Sequence, residues 1–213
     1  MKLHTTDLKA SIINAENIEL SYSTLPGNCP KSYGNWIGLW QGSVIPYGRN
    51  PLWHSLLGSD DSAGCHILGG LQLQRTPYIL GYAHSVSLSS ISSTVQFIPS
   101  QTGEGTLGIL FPTTISLVAY NAQGIVISYS TPSGNIPVEN GDWIGLCAGS
   151  QASFSSENLI RKVDVTQRSN CSSQALTGIS LAYKSTYTIV YGCSREETAI
   201  AASLTFETGE ILS

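Results

Sequence analysis

Side chains that could perform chemistry are concentrated between residues 54 and 66. His54, Asp60, Asp61, Cys65 and His66 form the densest group of possible metal ligands, but their spacing matches none of the usual zinc patterns. Cys65 and His66 are also poorly placed to act as a thiol–imidazole pair, because adjacent residues of a strand face opposite sides. A polar surface loop is therefore the favoured interpretation, with no metal and no cofactor.

The residues best suited to binding lie at the start of the same region. Tyr47, Arg49, Trp53 and His54 belong to a segment punctuated by proline and glycine. Aromatic and arginine side chains on loops commonly anchor binding surfaces. These four residues are therefore the candidate ligand-binding site. The competing interpretation is that Trp53 is a core residue on a strand.

Sequence motifs for catalysis are weak or absent. The chain contains no nucleophile elbow, P-loop or H-E-x-x-H motif. Gly103, Gly105 and Gly108 have the spacing of a dinucleotide-binding loop, but Pro112 and a β-branched run follow where that loop requires a helix. We therefore assign no catalytic residue and predict that the chain is not an enzyme.

The elements that must position these residues come from an internal duplication. Trp36–Leu39 is repeated without change 107 positions later as Trp143–Leu146, and beyond this motif the two halves align at an offset of 109. A fixed offset near half the length indicates two domains. We predict one domain at 1–100, a glycine-rich linker at 101–110 and a second domain at 111–213.

The residue pattern predicts strands in both halves. Apolar and polar residues alternate over Asn17–Ser23, which is typical of a strand with one buried face. Thr5–Ile13 is predicted as an edge strand, and no segment shows a helical period longer than two turns. The sequence predicts an all-β protein of two tandem immunoglobulin-like antiparallel β-sandwiches, with roughly seven short strands in each.

Three recurring positions are predicted to form the structural core. Each half has a tyrosine on its second strand, a tryptophan fourteen residues later and an aliphatic residue between two tyrosines further on. In immunoglobulin sandwiches the strand-C tryptophan packs between the sheets, and we expect the same here. The predicted core residues are Tyr22, Trp36 and Leu80 in the first half and Tyr129, Trp143 and Ile189 in the second.

Composition excludes several classes of partner. Charged residues make up only 11% of the chain, the net charge is −4 and no lysine or arginine cluster occurs, which argues against nucleic-acid binding. No apolar window is long enough for a transmembrane helix.

The five cysteines do not recur between the halves, which favours reduced thiols, with a Cys171–Cys193 bridge as the alternative. With no apolar segment near Met1, we expect a cytoplasmic protein, or one exported without a classical signal peptide.

The repeated motif resembles known immunoglobulin-like domains. Asp142–Leu146, preceded by a tyrosine strand and a loop of proline, glycine and asparagine, is similar to the SKICH domain and to the N-terminal domain of purple acid phosphatases. Asn35 replaces the aspartate in the first half. The resemblance implies an immunoglobulin-like fold. It also implies an interaction or targeting module, or an accessory domain whose metal-binding catalytic partner has no counterpart in this chain.

The leading functional hypothesis is a non-enzymatic module that recognises a glycan or a protein surface through the loops between strands. Two tandem copies would add avidity if both engaged one partner. The alternatives are a toxin or effector component that binds target cells, and a hydrolase with a site at the domain junction that uses His54, His66 or His84. A structural protein that forms homo-oligomers is a further alternative.

Overall fold

The chain folds as an all-β protein, as the sequence predicts. The computed structural model describes residues 1–13, 15–99, 109–155 and 158–209, with the backbone but not the side chain of Ile12. Within these residues all paired strands are antiparallel, and the only α-helix is the single turn α1 (Pro137–Asn140).

The strands of the two halves follow one another in the same order. Those of the first half are β1 (Lys2–Thr5), β2 (Asp7–Ile13), β3 (Ile18–Ser23), β4 (Trp36–Gln41), β5 (Trp53–Leu56), β6 (Ala63–Leu68), β7 (Tyr78–Ala83) and β8 (Ile91–Phe97). Those of the second half are β9 (Leu110–Pro112), β10 (Thr114–Asn121), β11 (Gly124–Ser130), β12 (Trp143–Ala148), β13 (Leu159–Asp164), β14 (Cys171–Thr177), β15 (Thr186–Gly192) and β16 (Ile200–Glu207).

Each half forms a sandwich of one small and one large sheet. In copy 1, the sandwich of strands β2 to β8, the sheet β2-β3-β6 faces the sheet β5-β4-β7-β8-β9. In copy 2, the sandwich of strands β10 to β16, the sheet β10-β11-β14 faces the sheet β1-β16-β15-β12-β13. Each pair of sheets encloses its own apolar core. This is an immunoglobulin-like arrangement of strands, and the predicted fold class is confirmed.

The first strand of each half completes the larger sheet of the other half. β1 precedes copy 1 in sequence, yet it pairs with β16 of copy 2, where Leu3 lies opposite Leu204. β9 precedes copy 2, and it pairs with β8 of copy 1, where Phe111 lies opposite Thr94. Since β1 and β9 are equivalent in the repeat, the two copies exchange strands reciprocally, with approximate twofold symmetry.

A buried threonine marks the point where each exchanged strand passes from one copy to the other. Thr6, between β1 and β2, has its hydroxyl 2.8 Å from Nε2 of His84 in copy 1 and 3.5 Å from the carbonyl of Ala201 in copy 2. Thr113, between β9 and β10, donates from both its amide and its hydroxyl to the carbonyl of Ser92, at 2.7 Å each. Both threonines are fully buried, so the crossing points belong to the interior.

The predicted core residues are all buried, but the two tryptophans do not lie between the sheets. Ile37 and Leu39 of β4 point inward to the core of copy 1. Trp36 and Trp40 alternate with them and join a separate apolar cluster on the outer face of the large sheet, the face turned away from the small sheet. Trp143 lies on the equivalent face of copy 2. The expected packing of the indoles between sheets is therefore wrong.

Other boundaries differ from the expectation or are not tested. The predicted strand Thr5–Ile13 is divided at Thr6, because Thr5 belongs to β1 in the sheet of copy 2 and Asp7–Ile13 form β2 in copy 1. Most of the predicted linker, with its glycines at 103, 105 and 108, lies outside the described residues. The division at 1–100, 101–110 and 111–213 remains a prediction.

Thr6→Val provides a test of the crossing point. Nδ1 of His84 has no hydrogen-bond partner, so loss of the Thr6 hydroxyl leaves the buried imidazole without any. We expect the free energy of unfolding to fall by about 1–3 kcal/mol, as for other buried polar groups that lose their partner, in urea denaturation. Thr113→Val is the matched control, because the Thr113 amide still satisfies Ser92, and we expect a smaller loss. Equal losses in the two variants would contradict this account.

Candidate partner-binding site

The four predicted ligand-binding residues do not form one surface. The side chains of Arg49 and His54 are exposed, whereas Tyr47 and Trp53 are half-buried. Trp53 packs against the inner core of copy 1, and its ring lies 6.2 Å from that of His66. His54, the next residue on β5, points to the outer face, where its ring meets Trp36 edge-on at 6.1 Å. Strand alternation thus separates these two neighbours.

Tyr47 contributes to the contact between the copies. Its ring packs on the outer-face cluster of Trp36 and Trp40, and its hydroxyl donates to the carbonyl of Ile91 at 3.3 Å. Burial, followed by the nearby Asp142 and Cys193 of copy 2, raises the pKa of Tyr47 well above its usual value. Packing between the copies therefore accounts for the aromatic residue at position 47 without a ligand.

Copy 2 makes a similar contact. Phe154 packs against Gly27 of copy 1 and stacks on Tyr33 with 5.7 Å between ring centroids. On the other side of the approximate twofold, Gly134 of copy 2 lies against the backbone of Ile45, where a Cβ atom would stand 2.5 Å from the carbonyl oxygen. These contacts join loops of the two copies beside the junction.

An apolar pocket of about 440 Å³ opens beside Trp36 on the outer face of copy 1. Its walls come from the end of the β4–β5 connection, from β5 and from the turn between β7 and β8. Leu56 and Val86 are strongly exposed there, at 59% and 72% of their full surfaces. The lining residues are Trp36, Asn50, Pro51, His54, Leu56, Val86 and Leu88. Of the four sequence candidates, only His54 lines it.

The same positions in copy 2 are charged. Pairing with the tryptophan strand makes His54 and Leu56 equivalent to Lys162 and Asp164. The offset of 109 makes Val86 and Leu88 equivalent to Arg195 and Glu197. The Lys162 ammonium lies 4.5 Å from the centre of the Trp143 ring, a cation–π contact that covers the indole. Copy 2 thus presents an ordinary charged surface where copy 1 has an open apolar pocket.

A buried polar network positions the turn that carries Val86. Asn35 accepts hydrogen bonds at Oδ1 from Asn28 and from the Tyr82 hydroxyl, both at 2.9 Å. Its Nδ2 donates to the carbonyl of His84 at 2.7 Å, and the indole of Trp36 donates to the next carbonyl, Ser85, at 2.7 Å. The loop before β4, the strand β7 and the turn after it are therefore held together behind the pocket.

In copy 2 a carboxylate occupies the position of Asn35. Asp142 accepts hydrogen bonds at Oδ2 from Asn135 and the Tyr191 hydroxyl, at 2.7 and 2.8 Å, and at Oδ1 from the amide of Ser194 at 3.2 Å. Burial raises the pKa of Asp142 to about 6, although these three donors act in the opposite direction. Asn35 and Asp142 thus occupy equivalent positions in the two copies. They differ at one atom, because Nδ2 of Asn35 donates a hydrogen bond whereas Oδ1 of Asp142 accepts one.

The remaining reactive side chains do not converge. His84 is fully buried, and burial lowers its pKa to about 3, while His54 and His66 face different sides of copy 1. All five cysteines are free; Cys171 is exposed, and Cys193 is buried with its thiol 3.2 Å from the carbonyl of Ser90, so they form no bridge. Nowhere in the described part of the chain do three or more potential metal ligands come together.

Comparisons with known proteins assign no family. No family model matches the chain, and no curated protein is similar to it. Among solved structures, the fibronectin domains FN1–FN3 of chicken CNTN1 match 97% of this chain at 10% identity, with a TM-score of 0.33. The BSP domain of a biofilm-associated protein matches 97% at 10% identity, with a TM-score of 0.30. The chain spans 64% and 30% of these two structures, and likeness this low supports no argument.

No comparison shows the likeness to SKICH domains or purple acid phosphatases, which stays an expectation. In the described residues no helix has the length and apolar character needed to cross a bilayer.

The pocket residues Leu56, Val86 and Leu88 were not predicted, because a single apolar residue in a loop or short strand carries no signal. Comparing the two halves position by position would have found them.

Asp142→Asn tests the buried carboxyl. Because its pKa is raised in the folded protein, the unfolded chain ionises first, and the free energy of unfolding falls as pH rises from about 4 to about 6. A pKa of about 6 against 3.8 corresponds to about 3 kcal/mol. We expect urea denaturation of the variant at pH 4.5 and 7.5 to lack this contribution. An unchanged pH dependence would show that Asp142 does not retain its proton.

Asn35→Asp is the converse variant. The new carboxyl can donate to the His84 carbonyl, as Asn35 does, only while it is protonated. We expect this variant to be destabilised more at pH 7.5 than at pH 4.5, measured by the same denaturation. A loss of stability that is independent of pH would contradict the proposed hydrogen bond.

Proposed function

We propose that the chain is a non-enzymatic binding module that docks an uncharged, extended segment of a partner protein against the pocket beside Trp36. The observation that carries this proposal is the difference between the copies. At four equivalent positions copy 1 has His54, Leu56, Val86 and Leu88, where copy 2 has only charged residues. Exposed apolar side chains that cluster around a pocket are typical of interaction sites.

The lining of this pocket favours a protein over a glycan. Sugar rings stack on the exposed face of an aromatic residue, but Trp36 is only 4% exposed and its indole N–H already donates to Ser85. Asn50 and His54 are the polar residues of an otherwise apolar lining. A leucine, isoleucine or valine side chain fits such a site, because burial of its apolar surface is favourable without new hydrogen bonds.

A glycan is the second candidate, and a different hollow favours it. An open depression of about 590 Å³ lies between the loop before β4 and the segment that follows β12. Its lining combines hydroxyl and amide groups with two aromatic rings and no charge. The residues that define it are Tyr33, Ser150, Gln151, Ser153, Phe154 and Asn158. Neutral hydrogen-bonding groups beside aromatic rings suit a sugar better than an apolar side chain.

A random linear peptide library tests the leading proposal. We expect the immobilised protein to enrich peptides with an uncharged apolar core, and Val86→Arg/Leu88→Glu to reduce their affinity at least about tenfold, the equivalent of 1.4 kcal/mol. This variant introduces residues that copy 2 already carries at the equivalent positions, so folding is expected to be retained. Affinities are measured by fluorescence anisotropy of the enriched peptides.

The reciprocal change in copy 2 is the control. Arg195→Val/Glu197→Leu should leave the affinity of the copy 1 site unchanged. Failure to enrich any peptide, or equal binding to the copy 1 variant, would contradict the proposal. Binding to a glycan array that survives Val86→Arg/Leu88→Glu and is lost in Phe154→Ala would establish the second candidate instead.

A further inference from the structure

β5 is an edge strand whose free side has unpaired backbone groups. The amide of Leu57 donates to the carbonyl of Asn35, and in the same register Ser55 and Trp53 lie opposite Ile37 and Leu39. The odd-numbered residues of β5 therefore form the hydrogen-bonded pairs with β4. In an antiparallel ladder the residues between them direct their N–H and C=O groups to the other side. The backbone groups of His54 and Leu56 therefore face the free edge. The Leu56 carbonyl accepts one bond, from the Ser55 hydroxyl at 3.3 Å, and keeps a second acceptor site.

This free edge lacks the protection found in copy 2. β13, the equivalent strand, has the sequence LIRKVD, with three charged residues, and charges on an edge strand oppose pairing with another chain. β5 has the sequence WHSL, without a charged residue, proline or bulge. No strand in the described part of the chain covers it. β5 is therefore open to strand addition.

We propose that the partner at this edge is a second copy of this chain, paired antiparallel through β5 about a twofold axis at Ser55. In that register His54 of each molecule lies opposite Leu56 of the other, and the outward backbone groups of both residues form hydrogen-bonded pairs. The two Ser55 residues form the non-hydrogen-bonded pair at the centre. The two five-stranded sheets become one sheet of ten strands.

The same register fills the pocket. His54 and Leu56 point to the outer face, so Leu56 of the second copy lies beside His54 at the mouth of the pocket. Leu56 is 59% exposed in the single chain, and each molecule supplies both a pocket and a leucine that covers the other pocket. Such self-complementarity is what a twofold interface requires. The inference rests on the proposed function in using the same site, and it names the partner.

The way in which the chain joins its own halves also favours a second copy over an unrelated protein. β1 adds to β16 and β9 adds to β8, each as an antiparallel strand on the edge of a large sheet. The β5 edge extends the opposite end of the same sheet of copy 1. Since β5 is uncharged, no repulsion between like charges opposes self-pairing.

Ser55→Cys tests the register directly. Cα atoms of a non-hydrogen-bonded pair lie about 4.5 Å apart, within the range for a disulfide. Under mild oxidation we expect a covalent dimer linked through position 55 of both molecules, identified by mass spectrometry. We expect it to form at least about tenfold faster than any dimer of Val163→Cys, because self-pairing at β5 raises the local concentration of the thiols. Val163, on β13, is the matched control.

Sedimentation of the unmodified protein provides the second measurement. We expect the average mass to rise with concentration towards twice the monomer mass, and His54→Lys/Leu56→Lys, which places like charges opposite each other across the interface, to remain monomeric. Crosslinking of Ser55→Cys no faster than Val163→Cys, or a wild-type mass that never exceeds the monomer, would overturn the dimer. Peptide binding by a wild-type protein that sediments only as a monomer would show that the proposed function stands while the second copy is not the partner.

Discussion

The larger sheet of each sandwich is completed by a strand from the other sandwich, and this exchange constrains the rest of the molecule. β1 and β9 cross between the copies at Thr6 and Thr113, whose side chains are buried together with their hydrogen-bond partners. Neither copy can therefore rotate against the other without breaking backbone hydrogen bonds in both large sheets. The two sandwiches behave as one structural unit, unlike tandem domains that are joined only by a linker.

The exchange also determines which surfaces remain free. Tyr47 of copy 1 lies near Asp142 and Cys193 of copy 2, and Phe154 of copy 2 packs against Gly27 of copy 1. The outer-face clusters around the tryptophans are therefore covered on the side of the junction. At the opposite end of each large sheet, the edge strands β5 and β13 remain open. The apolar pocket and the uncharged edge of β5 lie together at that end of copy 1, where both are accessible to a partner.

Much of the fold could be predicted from the sequence, because duplication and period-two alternation are local signals. The strand exchange could not, since Lys2–Thr5 and Asp7–Ile13 read as one continuous segment and nothing local indicates that they belong to different sheets. The face of the sheet on which Trp36 lies also could not be predicted from the sequence. β4 is buried on both faces over Trp36–Trp40, so its residues show no alternation, and the indole could be assigned to either face.

The candidate site was harder to predict because residue type alone favoured the wrong residues. Tyr47 and Trp53 are aromatic and lie near a loop, but contacts from the other copy and from the inner core account for them. The informative signal was a difference between equivalent positions. Duplicated copies share a fold and a solvent, so a surface position that fold alone determined would tend to the same polarity in both. Leu56 against Asp164 and Val86 against Arg195 depart from that expectation together, around one pocket and beside one unprotected edge. Copy 1 exposes apolar surface at an energetic cost that copy 2 avoids. This difference is best explained by a partner that covers the surface.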